Sequence, residues 1–138
     1  MTLRASQDAD NVYFLMEVSD TDIDSSDYLA LMLADVQTST RGLLSVTVSP
    51  DGLAIADMGG AEVSDIVSSV RFEGTLDDDS DEDTGWIVEM AVPRNKFEVG
   101  VSELAMNAVW YDSASGKEDS LSESDADIVE MWKRIKGL

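Results

Sequence analysis

The fold is decided by residues 85–93, which read Gly-Trp-Ile-Val-Glu-Met-Ala-Val-Pro. This stretch is apolar, rich in residues that favour strands, and ends at Pro93, which cannot donate a hydrogen bond to a sheet. The chain enters it through residues 77–83, where six of the seven side chains are carboxylates. Because six carboxylates cannot pack against one another, this segment is predicted to be an exposed loop or a cation site. An acidic loop that leads into such a strand indicates a hairpin arm of a β-sandwich.

The composition indicates one ordered domain with a strongly acidic surface. The chain has 138 residues, enough for a single core, and 43% of them are hydrophobic, as in ordinary globular proteins. Its 29 acidic and 9 basic residues give a formal net charge of −20. Such a surface repels phosphate backbones and anionic lipids, so nucleic acid and membrane surfaces are excluded as partners. It suits a saline or extracellular setting.

Two absent residue types exclude whole classes of catalytic chemistry. The sequence has no Cys, which excludes thiol nucleophiles, disulfides and thiolate metal sites. It has no His, which excludes a Ser-His-Asp triad and a metal or haem bound through imidazole. Carboxylate pairs, Lys and Tyr remain available for catalysis, but an enzyme of this size without His would be unusual, so we expect a non-catalytic protein. The alternative is a carboxylate-based hydrolase, in which two of the strand residues Glu17, Glu73 and Glu89 would form the acid–base pair.

The remaining pattern predicts further strands and no membrane span. No apolar run is long enough to cross a bilayer, and the first residues do not begin a signal peptide. A chain that opens directly on a strand is typical of a domain that belongs to a larger protein. The predicted strands are residues 2–6, 12–19, 28–33, 43–49, 53–57, 67–76, 85–92 and 104–110. Their spacing predicts an antiparallel β-sandwich of about eight or nine strands, with residues 28–33 buried on both faces.

The end of the chain has a different pattern. Four apolar residues from Ile128 to Ile135 follow the helical spacing i, i+3, i+4, i+7. This spacing predicts an amphipathic C-terminal helix over residues 125–136, packed on the sandwich. Residues 1–112 are then the sandwich core of a single domain, and residues 113–124 are a loop.

Three features in this order resemble a known family of β-sandwiches. Residues 8–20 combine an acidic turn, an aromatic strand and a closing Asp, and in residues 27–33 an Asp leads a buried strand. Residues 85–93 are followed by a short helix and a strand that carries Asn107. This order resembles the family 9 carbohydrate-binding modules and the wider group of DOMON-like sandwiches, which bind sugars or haem. The resemblance extends over residues 3–112.

The resemblance implies a non-catalytic module that binds carbohydrate in a secreted or cell-surface protein. Sugars stack their C–H faces on aromatic rings, and polar groups bind their hydroxyls. Since consecutive strand residues face opposite sides of a sheet, either Trp110 or Tyr111 is expected to point outward. The candidate ligand-binding residues are Trp110, Tyr111, Trp86, Asn107 and Tyr28.

Two other functions stay open at this point. One is a structural or assembly domain of a surface protein, stabilised by Ca²⁺ and in contact with neighbouring domains of the same parent protein. The other is a haem-binding DOMON-like domain, which would need a Met and Lys ligand pair because the chain has no His. We do not expect haem.

Two acidic loops are candidate Ca²⁺ sites. Calcium prefers hard oxygen ligands, and alternate Asp residues in a loop can direct several carboxylates to one point. In some relatives, acidic residues in the loop that corresponds to 20–27 hold Ca²⁺. For residues 77–83 the alternative is an acidic hairpin tip that discourages edge pairing. The candidate ligands are Asp20, Asp22, Asp24, Asp27, Asp77, Asp79, Asp81 and Asp83.

Overall fold

A computed structural model describes residues 1–35, 44–97, 103–122 and 133–137. These residues contain eleven strands and one turn of 3₁₀ helix, Arg94–Lys96. The strands are β1 (Thr2–Gln7), β2 (Asn11–Val18), β3 (Tyr28–Asp35), β4 (Leu44–Val48), β5 (Ala54–Met58), β6 (Ala61–Glu62), β7 (Val67–Glu73), β8 (Gly85–Pro93), β9 (Glu103–Asp112), β10 (Lys117–Ser120) and β11 (Lys133–Lys136). No helix among these residues is long and apolar enough to span a bilayer.

The strands form two antiparallel sheets that pack as a sandwich, so the predicted fold class is confirmed. The four-stranded sheet has the order β1-β2-β8-β7. The seven-stranded sheet has the order β10-β9-β3-β4-β5-β6, and β11 also pairs with β9. The central pairs join distant parts of the chain: Val12 lies opposite Val92, and Tyr28 lies opposite Tyr111.

The core lies between the sheets and follows from alternation along the strands. Strand β3 shows the limit of this pattern, because its two faces are not equally buried. Leu29, Leu31 and Leu33 are fully buried, whereas Tyr28 and Met32 on the other face are half-buried. The prediction that residues 28–33 are buried on both faces is therefore wrong. The buried residues of the main core are Val12, Phe14, Met16, Val18, Ile23, Leu29, Leu31, Leu33, Leu44, Val46, Val48, Ala56, Trp86, Val88, Met90, Val92 and Ala108.

The hairpin arm predicted from residues 77–93 is present as β7, a loop over residues 74–84, and β8. Gly85 opens β8 with a φ of +138°, and a Cβ atom there would lie 2.1 Å from the carbonyl oxygen of Val18. Only glycine combines this conformation with such a close backbone approach. Pro93 ends β8, and the next N–H, of Arg94, donates to the carbonyl of Asp10.

The last described segment differs from the sequence prediction. Lys133–Lys136, assigned to a helix by apolar spacing, is a strand that pairs with residues 103–106 of β9. Lys117–Ser120, predicted as loop, is a strand that pairs with the other half of the same β9 edge. An open sheet edge offers a row of unpaired N–H and C=O groups, and pairing with them outweighs the weak helical preference of a short segment. Residues 125–132 of the predicted helix lie outside the described residues.

Candidate functional site

The five predicted ligand-binding residues are divided between the interior and the outer face of the seven-stranded sheet. Trp86 is only 1% exposed and packs in the main core, so its ring is closed to a ligand and its assignment is corrected. Asn107 is also fully buried. Its amide donates to the Ser120 hydroxyl at 3.0 Å, and its oxygen accepts the N–H of Ser122 at 3.0 Å. These bonds give Asn107 a structural role in fixing the segment that follows β10.

The consecutive aromatic residues of β9 face opposite sides of the sheet, as predicted. Trp110 lies opposite Leu29 and packs against the main core as a half-buried residue. Its indole nitrogen is buried and has no hydrogen-bond partner among the described residues. Tyr111 lies on the outer face. Of this pair, Tyr111 is therefore the residue that can present its ring to a ligand.

Tyr28, Tyr111 and Glu118 form a row across β3, β9 and β10, which we call the tyrosine patch. The two tyrosine rings are stacked, with centroids 5.1 Å apart and planes inclined by 18°. Both are half-buried, and Glu118 is exposed. Burial and then the neighbouring Glu118 carboxylate, which also forms a hydrogen bond with the Tyr28 hydroxyl, raise the pKa of Tyr28.

Glu118 was missed by the sequence analysis, because residues 113–124 were predicted to be a loop. Its position depends on the pairing of β10 with β9, which places Glu118 opposite Tyr111. The alternation in Tyr28, Ala30 and Met32 against buried leucines was the available signal for an outward Tyr28. The patch thus combines aromatic rings, phenol hydroxyls and a carboxylate, which are the groups that bind sugars.

The two acidic loops, residues 19–27 and 74–84, are joined at one end of the sandwich. The N–H of Ser25 donates to Asp77 at 2.7 Å, and the N–H of Asp77 donates to the carbonyl of Ile23 at 3.0 Å. Burial and the nearby Asp79 carboxylate raise the pKa of Asp22, as expected where like charges from the two loops lie close together. Hydrogen bonds to backbone amides therefore hold together loops whose charges oppose contact.

Asp83 carries the central link between these loops. Residues 77–82 are exposed as predicted, but Asp83 is 2% exposed, so the prediction for residues 77–83 is wrong at this position. Its carboxylate accepts the N–H of Ile23 and the N–H of Thr75, both at 2.8 Å. These two charge-assisted hydrogen bonds offset the desolvation of the carboxylate.

Asp27 links the first of these loops to the segment that follows β9. It is fully buried, and one of its oxygens accepts both the N–H and the hydroxyl of Ser113, at 2.8 and 2.7 Å. Its other oxygen accepts the N–H of Asp24 at 2.9 Å. Asp27 and Asp83, both proposed as calcium ligands, thus serve the folded chain as acceptors for backbone and hydroxyl donors.

Asp20 is the residue of these loops whose surroundings best suit a cation such as Ca²⁺. Among the described residues, no group of three or more carboxylates converges in the way a metal site requires. Asp20 is 6% exposed, and one carboxylate oxygen is buried without a hydrogen-bond partner in the described part of the chain. A cation would suit this oxygen, but the described carboxylates around it do not form a ligand set. Calcium binding stays a prediction.

The raised pKa of Asp20 is expected to lower the free energy of unfolding as pH rises. Burial raises the pKa of Asp20 to about 6, and the charges of Asp27 and Asp112 add to the rise. The ordinary pKa of an Asp side chain is 3.8. At a pH between 3.8 and about 6, Asp20 is therefore protonated in the folded chain and ionised in the unfolded chain. The stability that this proton gives is fully present below about pH 4 and is lost as pH rises through about 6.

The Asp20→Asn variant tests this pH dependence. We expect its free energy of unfolding, relative to the original chain, to rise by about 2 kcal/mol between about pH 4 and pH 7.5. Urea denaturation of both proteins at the two pH values measures the difference and cancels the titration of the other carboxylates. A difference that is the same at both pH values would show that Asp20 titrates normally.

No protein-family model matches the chain, and no curated protein matches its sequence. Solved structures match its fold. A family 9 carbohydrate-binding module from Caldicellulosiruptor kristjanssonii in complex with glucose has a TM-score of 0.70 and 13% identity, over 97% of this chain and 74% of that one. A family 9 module from the same organism in complex with cellotriose has a TM-score of 0.70 and 12% identity, over 97% and 72% of the two chains.

A third solved structure, a protein from Bacteroides uniformis described as a candidate carbohydrate-binding protein, has a TM-score of 0.68 and 8% identity. It covers 97% of this chain and 76% of its own. The chain therefore has the fold of the family 9 modules, and the resemblance found in its sequence is confirmed at the level of the fold. Identities this low transfer no residue roles, and the DOMON-like part of the resemblance stays a prediction.

Proposed function

We propose that this chain is a non-catalytic carbohydrate-binding domain that holds a neutral sugar on the tyrosine patch. The observation that carries the proposal is the outward stacked pair Tyr28 and Tyr111 with Glu118 beside it. Support for the ligand class comes from the solved structures with this fold, two of which contain glucose or cellotriose. The acidic surface supports a place in a secreted or cell-surface protein.

The patch has the chemistry that a sugar ring requires. The apolar C–H face of a pyranose packs against an aromatic ring, so the free face of the tyrosine pair provides the stacking surface. The Tyr28 hydroxyl can donate to a sugar oxygen, and the Glu118 carboxylate can accept from a sugar hydroxyl. A net charge of −20 disfavours uronic acids and sulfated glycans, which makes a neutral glycan the better ligand.

The strand carboxylates support binding rather than hydrolysis. Glu17 is held by the Arg4 guanidinium at 3.2 Å and accepts the Thr2 hydroxyl at 3.0 Å. Glu73 accepts the Thr84 hydroxyl at 3.2 Å. A glycosidase needs one carboxyl that can deliver a proton and a second one free to act as base or nucleophile. These partners hold Glu17 and Glu73 as hydrogen-bond acceptors, which leaves the exposed Glu89 without a second one of these strand glutamates for an acid–base pair.

Tyr111→Ala is the variant that tests the patch. We expect it to weaken the binding of cellotriose about tenfold or more, because it removes the stacking surface of one ring and the support of the other. Isothermal titration calorimetry measures the change, with glucose, xylotriose and mannotriose as further ligands. Glu118→Gln is expected to weaken binding less and to leave the stacking intact.

Ile55→Ala is the matched control, since Ile55 is 59% exposed on the outer face of the same sheet and lies on β5, two strands from β3. We expect it to bind as the original chain does. If the original chain binds one of these sugars and Tyr111→Ala binds it equally well, the patch is not the site. If none of the four sugars binds, the proposed function fails for neutral glucans, xylans and mannans.

A further inference from the structure

A groove of about 500 Å³ crosses the outer face of the four-stranded sheet, which we call the trough. A second hollow of about 430 Å³ lies further along the same face, at Glu17, Ile87 and Arg71. The trough is on the side of the sandwich opposite the tyrosine patch, so no residue belongs to both. The side chains that define it are Arg4, Tyr13, Leu15, Val67, Ser69 and Glu89.

Strand register arranges these side chains as one apolar row and one polar row. Tyr13 and Val67 both lie opposite Ala91, which makes an apolar row across β2, β8 and β7. Tyr13 is 37% exposed and Val67 is 69% exposed, both high values for large apolar residues. In this row the Tyr13 ring lies on one side of the small residue Ala91, and the Val67 side chain lies on the other.

The adjacent row carries the polar groups. Arg4 lies opposite Leu15, Leu15 opposite Glu89, and Glu89 opposite Ser69. The row therefore contains a guanidinium donor, a carboxylate acceptor and a hydroxyl, with Leu15 between the two charged groups. Glu89 and Ser69 are exposed, so both can form hydrogen bonds to a ligand.

The aromatic wall of the trough is held in place before any ligand arrives. The Tyr13 hydroxyl donates to the Asp8 carboxylate at 2.6 Å. Asp8 in turn accepts the N–H groups of Asp10 and Asn11, each at 2.8 Å. These hydrogen bonds, of which the Tyr13 bond has the largest effect, lower the pKa of Asp8. The carboxylate is therefore ionised and accepts the hydrogen bond that fixes the Tyr13 ring. A fixed ring loses little entropy when a ligand stacks on it.

From this arrangement we propose that the trough is a second binding site, for a neutral glycan segment that lies across the strands. Its volume is in the range of small-molecule sites, and its lining combines an apolar surface with a few polar groups. The Arg4 charge is already compensated by the Glu17 carboxylate, at 3.2 Å. The Glu89 carboxylate disfavours an acidic ligand and can accept hydrogen bonds from the hydroxyls of an uncharged polyol. This inference rests on the proposed function for the class of ligand but not for the position of the site.

The structure disfavours a peptide and a second copy of the chain. The floor strands β2 and β8 each pair on both sides, so their N–H and C=O groups are already used within the sheet. An extended peptide across them would find few backbone partners, whereas sugar hydroxyls need only the side chains. Two copies of a chain with a net charge of −20 repel each other.

Two sites on opposite faces would let one domain contact two glycan strands at once. Such a domain would bind an insoluble or dense polysaccharide more tightly than a short oligosaccharide, because the second contact forms at a high effective concentration. The predicted consequence is cross-linking of glycan chains rather than simple attachment to one chain.

Nitrogen-15 NMR of the full chain tests the trough directly. We expect cellohexaose, xylohexaose or mannohexaose to shift amide signals of residues 13–15, 67–69 and 89–91. Glu89→Gln, an exposed and conservative change, should weaken binding measured from these signals about fivefold or more, as expected for a lost charge-assisted hydrogen bond. Tyr13→Ala should weaken it further. Glu62→Gln, an exposed change on the other sheet, is the control and should leave these signals unaltered.

Four results are distinguishable. Shifts in the trough and at Tyr28 and Tyr111 support both sites, and the trough shifts should survive Tyr111→Ala. Shifts in the trough alone support this inference and overturn the position given to the proposed site. Shifts confined to the tyrosine patch overturn the trough while the proposed function stands. No shift in either region with any of the three hexasaccharides overturns both.

Discussion

Gly85→Ala is expected to destabilise the fold by about 3 kcal/mol or more. The φ of +138° is strained for any residue with a side chain, and the added Cβ would lie 2.1 Å from the carbonyl oxygen of Val18. That oxygen belongs to the end of β2 and cannot move without disturbing the pairing of Val18 with Trp86. The clash therefore acts on the central pair of the four-stranded sheet. Urea denaturation followed by tryptophan fluorescence measures the loss.

Gly116→Ala is the matched control. Gly116 has a φ of +66°, but a Cβ there would have no atom within 4 Å, so this variant carries backbone strain without a clash. We expect it to cost about 1 kcal/mol. If the two variants lose the same stability, the close approach of β2 to Gly85 does not matter for folding, and the account of how β8 begins is wrong.

Asp83→Ala is expected to cost about 2–4 kcal/mol. The change removes two charge-assisted hydrogen bonds and leaves the N–H of the fully buried Ile23 without a partner. It also breaks a link between the loops at 19–27 and 74–84, so amide hydrogen exchange should increase in both. Thermal or urea unfolding gives the stability, and hydrogen exchange gives the local effect.

Asp79→Ala separates this role from a general effect of charge. Asp79 lies in the same loop but is exposed, and its negative charge lies near that of Asp22 and repels it. Removing it should change stability by no more than about 0.5 kcal/mol. Asp83→Asn, which keeps one acceptor oxygen, should fall between the two. Equal stability of Asp79→Ala and Asp83→Ala would contradict a structural role for Asp83.

Alternation was sufficient to predict most of the sandwich. Strand β2 buries Val12, Phe14 and Met16 while Tyr13 stays outside, which is the pattern visible in the sequence. The same parity test applies to β8, where Trp86 shares its face with Val88 and is buried with it. The alternation along β8 thus indicates that Trp86 is a core residue. The ligand role predicted for Trp86 rested only on the size and chemistry of its side chain.

Long-range pairing explains what the sequence could not predict. Nothing local indicates that residues 117–120 and 133–136 complete the edge of β9, because the edge exists only after β9 has paired with β3. The contact between Tyr28 and Tyr111, and the position of Glu118, follow from the same register. Asp83 was predicted to be exposed since the loop sequence gives no hint of the two amide donors that bury it.

The same topology has a consequence for how the chain is synthesised. Strand β3 emerges from the ribosome long before its partner β9, and strand β2 emerges long before its partner β8. Until then the leucines of β3 and the apolar face of β2 have incomplete cover, which exposes the nascent chain to association with its neighbours. The acidic turns between these strands then act as gatekeepers, because their mutual repulsion keeps unfinished chains apart. The excess of negative charge thus protects the chain during the interval in which its two sheets are still incomplete.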